Sequence, residues 1–265
     1  MASIDKKPVV ELVAKTTLNK AGIIRYLEAT GNEDFIQTMD EALMDGLSEM
    51  EVLVSMMAKL CYNSLTLGKN ANITRVRDVQ SNIEAAIKSC HGSVLEHASM
   101  SFIVRDCSRI FTHELVRHRA GTAFSQNSGR YIRLDDIDLV VDPILNPVEG
   151  ILQECSEYIE SRYKEMADVL GMNEEGLDFA MKKKLTSALR RIAPNGQTNE
   201  IGFTMNLRAM RFMIQKRTDR AAEWEIRHVF AQVFEIAAQI VPTLFCDASI
   251  THVDGLPEVR FENHT

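Results

Sequence analysis

The chain has 265 residues, 45% of them hydrophobic and 25% charged, with a formal net charge of −7, which is ordinary globular composition and enough length for one large domain or two small ones. The acidity disfavours general nucleic-acid binding, no apolar run approaches the ~20 residues of a membrane span, and the opening Met1-Ala2-Ser3-Ile4-Asp5-Lys6-Lys7 holds no apolar signal core. A cytoplasmic protein with no nucleic-acid and no membrane partner is expected, and five cysteines without a Cys-x-x-Cys pair argue against a disulfide framework or a zinc knuckle.

Residues 9–17 are rich in β-branched side chains and predict a strand. Residues 19–48, with Phe35, Met39, Leu43 and Leu47 at helical spacing, predict short helices. Ser48 followed by Glu51 is a capping box opening a helix over 48–63, with Val52, Met56 and Leu60 on one face. Cys61, near its end, reads from composition as a buried structural cysteine. A second amphipathic helix over 79–89 turns Ile83, Ala86 and Ile87 inward, and Gly92 is a candidate left-handed cap after it. Residues 98–104 alternate Met100, Phe102 and Val104 with Ser99, Ser101 and Ile103, the pattern of a strand.

The run His113-Glu114-Leu115-Val116-Arg117-His118 approaches the zinc motif His-Glu-x-x-His, in which histidines four apart share a helix face. Here the fourth position is Arg117, which would repel a divalent cation, and His118 is turned about 140° from His113. No metal site is expected.

Between Arg105 and Arg133 stand six Arg against Asp106 and Glu114, a local charge of +4 inside an acidic chain. Arg grips phosphate or carboxylate at two points where Lys is a point charge. Arg117 to Arg119 and Arg130 to Arg133 flank a loop of Gly121, Thr122, Ser125, Gln126, Asn127, Ser128 and Gly129, residues that let backbone approach a ligand and supply neutral donors and acceptors. The pattern suits a small anionic ligand.

Farther on, 135–143 reads as a loop, a short strand and a Pro stop, and 151–170 and 172–192 as helices. Arg190 and Arg191 in the last turn complement the helix dipole by default. Residues 200–217 hold Asn206, Arg208, Arg211 and Arg217. Residues 223–245 form the strongest helical pattern, with Ile226, Val229, Phe230, Val233, Phe234 and Ala237 as core or subunit interface. Residues 253–265 read as a polar tail. No repeat, linker or composition shift marks a boundary, so 1–265 is taken as a single domain.

Arg117-His118-Arg119, followed by eight residues, Ser128, Gly129, Arg130 and Tyr131, resembles the signature of flavin-dependent thymidylate synthases. That signature has seven residues in the gap, so this loop carries one extra, placed within Ala120 to Ala123. His91-Gly92-Ser93-Val94-Leu95-Glu96-His97 resembles the family's upstream segment. Asn206-Leu207-Arg208, Arg217 and Glu223-Trp224-Glu225-Ile226 resemble its C-terminal part.

The resemblance implies an α+β fold with a central, largely antiparallel sheet flanked by helices, and a homotetramer with shared active sites. It implies transfer of a one-carbon unit from methylenetetrahydrofolate to C5 of dUMP, with FAD as cofactor and NADPH as reductant. Position by position, it assigns His91, Ser93, Arg117, His118, Arg119, Gln126, Asn206 and Arg208 to the flavin. It assigns Glu114, Arg117, Gln126, Asn127, Ser128, Gly129, Arg130, Arg190 and Arg217 to dUMP, with Arg217 also catalytic, and Cys61 to a position where a small hydroxyl residue often meets the flavin. Glu114 and Gln126 stand where Gln and Glu are typical, and Phe212 where an Asn is common. Two alternatives stay open: a related flavoenzyme that hydroxymethylates a pyrimidine nucleotide, and a non-catalytic nucleotide or RNA binder using Phe102, Phe111, Phe124 and Tyr131 to stack bases.

Overall fold

A computed structural model describes Ile4, residues 6–134 and residues 136–265. The fold is α+β. Its centre is a four-stranded sheet of order β1-β2-β4-β3, built from β1 (Val9–Lys15), β2 (Ser99–Ser108), β3 (Thr122–Gln126) and β4 (Thr198–Asn206), with every neighbouring pair antiparallel. Register follows burial. Phe203 lies opposite both Phe102 and Phe124, Met205 opposite Met100, and Ile201 opposite Val104. One face therefore carries large apolar side chains, and the other carries Ser101, Ile103, Gly202 and Thr204. Phe203 stacks on Phe102 at 5.3 Å and meets Phe230 at 6.5 Å, joining the sheet to the long helix beneath it.

The helices are α1 (Lys20–Thr30), α2 (Asp34–Met44), α3 (Glu49–Cys61), α4 (Val79–Lys88), α5 (Arg109–Leu115), α6 (Glu149–Val169), α7 (Phe179–Leu189), α8 (Leu207–Arg217) and α9 (Trp224–Ile240). The Ser48 capping box is present, with Oγ accepting from Glu51 N and the Glu51 carboxylate accepting from Ser48 N. In α9, Ile226, Val229, Phe230, Val233 and Ala237 are fully enclosed by the chain itself, so the stripe is core. Burying each such side chain contributes about 1.5–3 kcal/mol. A smaller cluster of Leu134, Ile137, Leu139, Tyr163, Ala167, Met172 and Leu189 sits with α6 and α7.

Several sequence expectations are corrected. Residues 122–126, read as loop, form β3, and 198–206 form the strand β4. The short strand near 139–141 reduces to two isolated bridges, Leu139 to Gln197 and Val140 to Lys6. The helix expected from Met172 starts at Phe179, where the Asp178 carboxylate caps it by accepting from Met181 N. Cys90 (φ 56°), not Gly92, takes the left-handed conformation after α4, and Cys61 is exposed rather than buried.

The expected polar tail is a hairpin, β5 (Ala248–Val253) and β6 (Leu256–Phe261), turned by Asp254 and Gly255, both at positive φ. It is anchored by Arg211, which is 2% exposed and grips both Asp247 carboxylate oxygens at 2.9 Å. The same guanidinium donates to the Leu244 carbonyl at 2.6 Å and lies 4.1 Å from the centre of the Phe261 ring.

Candidate active site

The site is organised by α5, a two-turn helix entered directly from β2. Ser108 caps it, its Oγ accepting from Phe111 N at 3.1 Å. The Ser108 N–H donates to Glu225 at 2.6 Å, and its hydroxyl donates to the same carboxylate in a short hydrogen bond. Glu225 is 2% exposed in the first turn of α9, and burial pushes its pKa up to about 7 against those two hydrogen bonds. This junction fixes α5 against the core. Successive helical residues point about 100° apart, so neighbours His113 and Glu114 address different clefts.

Glu114 faces Arg217, the last residue of α8. Arg217 Nη1 donates to Glu114 Oε2 at 2.9 Å, and its Nε donates to His118 Nε2 at 2.9 Å. A guanidinium has no acceptor, so His118 Nε2 presents its lone pair and the imidazole is neutral with its proton on Nδ1. Burial, and then the Arg217 charge, hold the His118 pKa below its ordinary value.

Beyond this group opens a cleft of about 400 Å³ whose walls include His118, Gly121, Asn206, Arg208, Phe212 and Thr265. Asn206 caps α8, its Oδ1 accepting from Ala209 N at 2.8 Å, while its own N–H donates to the Gly121 carbonyl at 2.9 Å. Gly121 holds φ +68°, and a Cβ there would collide with the Asn206 amide. At Gly92 a Cβ would lie 2.7 Å from Arg208 Nε and 2.6 Å from the Thr265 backbone carbon. Arg208 pairs with Glu96 at 2.6 Å. Phe212 meets His118 edge-on at 6.3 Å.

A second cleft, about 470 Å³, opens at the other end of β3, roughly 14 Å along that five-residue strand. Arg109, His113, Asn127, Gly129, Arg190 and Arg191 are among its lining residues, and among the described residues no carboxylate lines it. Gln126 lies beneath α5, donating to Thr112 Oγ1 at 2.9 Å. The Ser128 Oγ accepts from Arg130 N at 3.4 Å, closing the turn around Gly129.

Of the sequence-predicted residues, the structure brings Glu114, His118, Asn206, Arg208 and Arg217 to the first cleft region, and Asn127, Gly129 and Arg190 to the second. Arg117, Arg119 and Arg130 have exposed side chains and line neither cleft. Ser93 is exposed beside Gly92, and His91 stacks on Tyr62 at 5.7 Å in a separate recess. Phe102 and Phe111, offered as base-stacking aromatics, are 1% and 0% exposed and belong to the core.

Sequence reasoning passed over Arg109, whose position one helical turn before His113 placed both on one face. It also left Glu96 without a role, although that residue stood inside a matched block. The recess at Glu96 and Arg208 is closed partly by Thr265, which the reading as a tail gave no contact.

Comparison with known proteins decides the family. The sequence matches the family described as "Thymidylate synthase complementing protein" over residues 42–243. The flavin-dependent thymidylate synthase of Mycobacterium tuberculosis is 30% identical over 231 residues, covering 85% of this chain and 90% of that relative. This chain belongs to the flavin-dependent thymidylate synthase family.

The flavin-dependent thymidylate synthase of Clostridium tetani is 29% identical over 219 residues, 80% of this chain and 88% of its own. Among solved structures, a UMP/dUMP methylase, PolB from Streptomyces cacaoi, bound with 5-Br dUMP, shares the fold with a TM-score of 0.61 at 18% identity, over 91% of this chain and 94% of that one. Within the flavin-dependent thymidylate synthase frame, the segment assigned the extra residue, Ala120 to Ala123, spans the turn into β3 and its first two residues, and Ala120 and Gly121 wall the first cleft.

Proposed function

We propose that this enzyme transfers a one-carbon unit from methylenetetrahydrofolate to C5 of dUMP, with FAD as cofactor and NADPH as reductant, to give dTMP. The observation that carries the reading is the convergence of His118, Asn206 and Arg208 on one cleft, with Arg217 hydrogen-bonded to His118 behind its wall. The walls fit a flavin. Ala120, Ala209, Phe212 and Met213 offer apolar surface for a planar ring system, and His118, Asn206 and Arg208 offer polar groups around it. Bound there, FAD supplies hydride transfer, taken from NADPH and returned to the one-carbon unit on the pyrimidine.

The chain's own residues then bind, orient and stabilise charge. Arg217 is assigned to the uracil edge, where a guanidinium favours the negative charge that grows as C5 becomes nucleophilic. Glu114 and the neutral His118 hold its planar fork in one orientation. Asn127, Ser128, Gly129 and Arg190, with Gln126 and Arg130, are assigned to the phosphate and sugar. Arg117, Arg119, His91 and Ser93 are assigned to flavin contacts completed by a neighbouring subunit. The homotetramer is supported by the exposure of Arg117, Arg119 and Arg130 outside both clefts. Residues 1–265 are proposed to act as one unit in the cytoplasm. No helix among the described residues is long and apolar enough to cross a membrane.

Flavin spectroscopy tests the cofactor assignment. Purified protein titrated with micromolar FAD should turn yellow and be bleached by NADPH without oxygen. A folded sample that binds no flavin would overturn the reading.

A further inference from the structure

The family match ends at residue 243, and the chain beyond it returns to the first cleft. Arg211, buried in α8, directs that return. Its Nη1 and Nη2 donate to the Asp247 carboxylate and to the carbonyls of Leu244 and Asn263, which leaves Nε to donate to Thr265 Oγ1 at 3.1 Å. Asp247 in turn accepts from the backbone N–H and from the side-chain amide of Asn263, at 3.0 and 3.2 Å. Residues 263–265 therefore form a strap hung from a buried ion pair. Tied to the core in this way, the strap is a wall of the cleft and not a gate.

At that wall the strap meets Gly92. A Cβ there would stand 2.6 Å from the Thr265 backbone carbon and 2.7 Å from Arg208 Nε, although Gly92 is not among the glycines at positive φ. What excludes a side chain at Gly92 is therefore the close approach of these two groups, not its own backbone conformation. Arg208 lies one turn before Arg211 on the same face of α8 and pairs with Glu96 at 2.6 Å. Both side chains of that pair are about half exposed, and an exposed ion pair alone holds a long side chain weakly. Crowding by Thr265 at Gly92 adds the confinement that the ion pair lacks. A guanidinium already restricted in its rotamers loses less entropy on meeting a ligand.

We propose that residues 263–265 are a positioning strap: Thr265, hung from Arg211 Nε, confines Arg208 beside Gly92 so that its guanidinium meets the flavin already oriented. Thr265 acts through Arg208, from a part of the chain that lies outside the family match. The inference deepens the flavin reading above and rests on it for the identity of the ligand.

FAD affinity should be measured by titration for wild type, Thr265→Val, Thr265→Ser, Gly92→Ala and Arg208→Gln, and for Thr265→Val combined with Arg208→Gln. Thr265→Val keeps the shape without the acceptor, Thr265→Ser keeps the acceptor, and Gly92→Ala displaces the strap. The proposal requires Thr265→Val and Gly92→Ala each to weaken FAD by about 10-fold. It also requires Thr265→Ser to bind like wild type, and Thr265→Val to cost nothing further in the Arg208→Gln background. If Thr265→Val lowers the melting temperature of the FAD-free protein but binds FAD like wild type, Thr265 is structural only and the proposal is overturned. Losses that multiply in the double variant overturn it too. If wild type binds no FAD, the functional reading fails by itself. The strap is then judged on hydrogen exchange in the FAD-free protein: faster exchange over Gly92–His97 in Thr265→Val supports it, and unchanged exchange overturns it.

Discussion

Arg217 donates to the unprotonated Nε2 of His118 at 2.9 Å, so a histidine beside the cleft serves as an acceptor for an arginine that is also tied to Glu114. Protonating His118 would place a second cation against the first and remove the acceptor. The network therefore depends on a neutral imidazole.

That dependence has a definite pH direction. The folded-state pKa of His118 lies below its ordinary 6.5, because of burial first and Arg217 second. The unfolded chain therefore takes up the proton first as pH falls, and stability rises with pH across that window. The contribution is complete above the ordinary value and is lost on acidification through the folded-state value. His118→Gln keeps an acceptor and cannot titrate. Melting temperatures measured from about pH 7.5 down to about pH 5.5 should fall more steeply for wild type than for His118→Gln, and parallel curves would remove His118 as the titrating group.

Arg217→Lys separates binding from chemistry. Lys keeps the charge but cannot hold Glu114 and His118 through a planar fork while facing the uracil. Single-turnover flavin reoxidation with dUMP and methylenetetrahydrofolate should slow by roughly 10²–10³-fold, while dUMP affinity changes much less. Equal losses in both would assign Arg217 to binding alone. Sedimentation of the same sample distinguishes a chemical defect from an assembly defect.

Arg211→Ala should destabilise the fold by about 3–5 kcal/mol, because it leaves the Asp247 carboxylate, 6% exposed, without its bidentate partner. Burial, offset by the hydrogen bonds and charge of Arg211, leaves the Asp247 pKa below the ordinary carboxylate value. The hairpin β5–β6 should loosen with it, since Arg211 also holds the Leu244 and Asn263 carbonyls. Denaturant unfolding measures the loss, and hydrogen exchange over residues 248–261 locates it.

The parts of the fold legible in the sequence are those whose information is local. The capping box at Ser48, the strand at β2 and the apolar stripe of α9 each needed only a short window. β3 was missed because it is five residues long, half-exposed and carries one large apolar side chain, Phe124, so its pairing with β4 is what defines it. β4 carries an alternation, Ile201, Phe203 and Met205 against Gly202 and Thr204, that runs straight into the arginine-rich helix α8. Asp254-Gly255 was a readable hairpin turn.

At the site, His118, Asn206, Arg208 and Arg217 were legible from motif positions, and one chain brings them together. Arg109 was not, because its meaning arises only where α5 approaches the segment 190–199, about 80 residues away in sequence. Arg117, Arg119 and Arg130 were legible as a cluster, but their exposed side chains line neither of the two clefts described.

The central claim is one-carbon transfer to the pyrimidine, and product analysis tests it most directly. The FAD-loaded enzyme, reduced by NADPH under anaerobic conditions, should be mixed with dUMP and methylenetetrahydrofolate labelled at the methylene carbon. Flavin reoxidation should require dUMP, and the label should be recovered in the C5 methyl group of dTMP. A labelled 5-hydroxymethyl product, or flavin reoxidation with no labelled nucleotide, would contradict it.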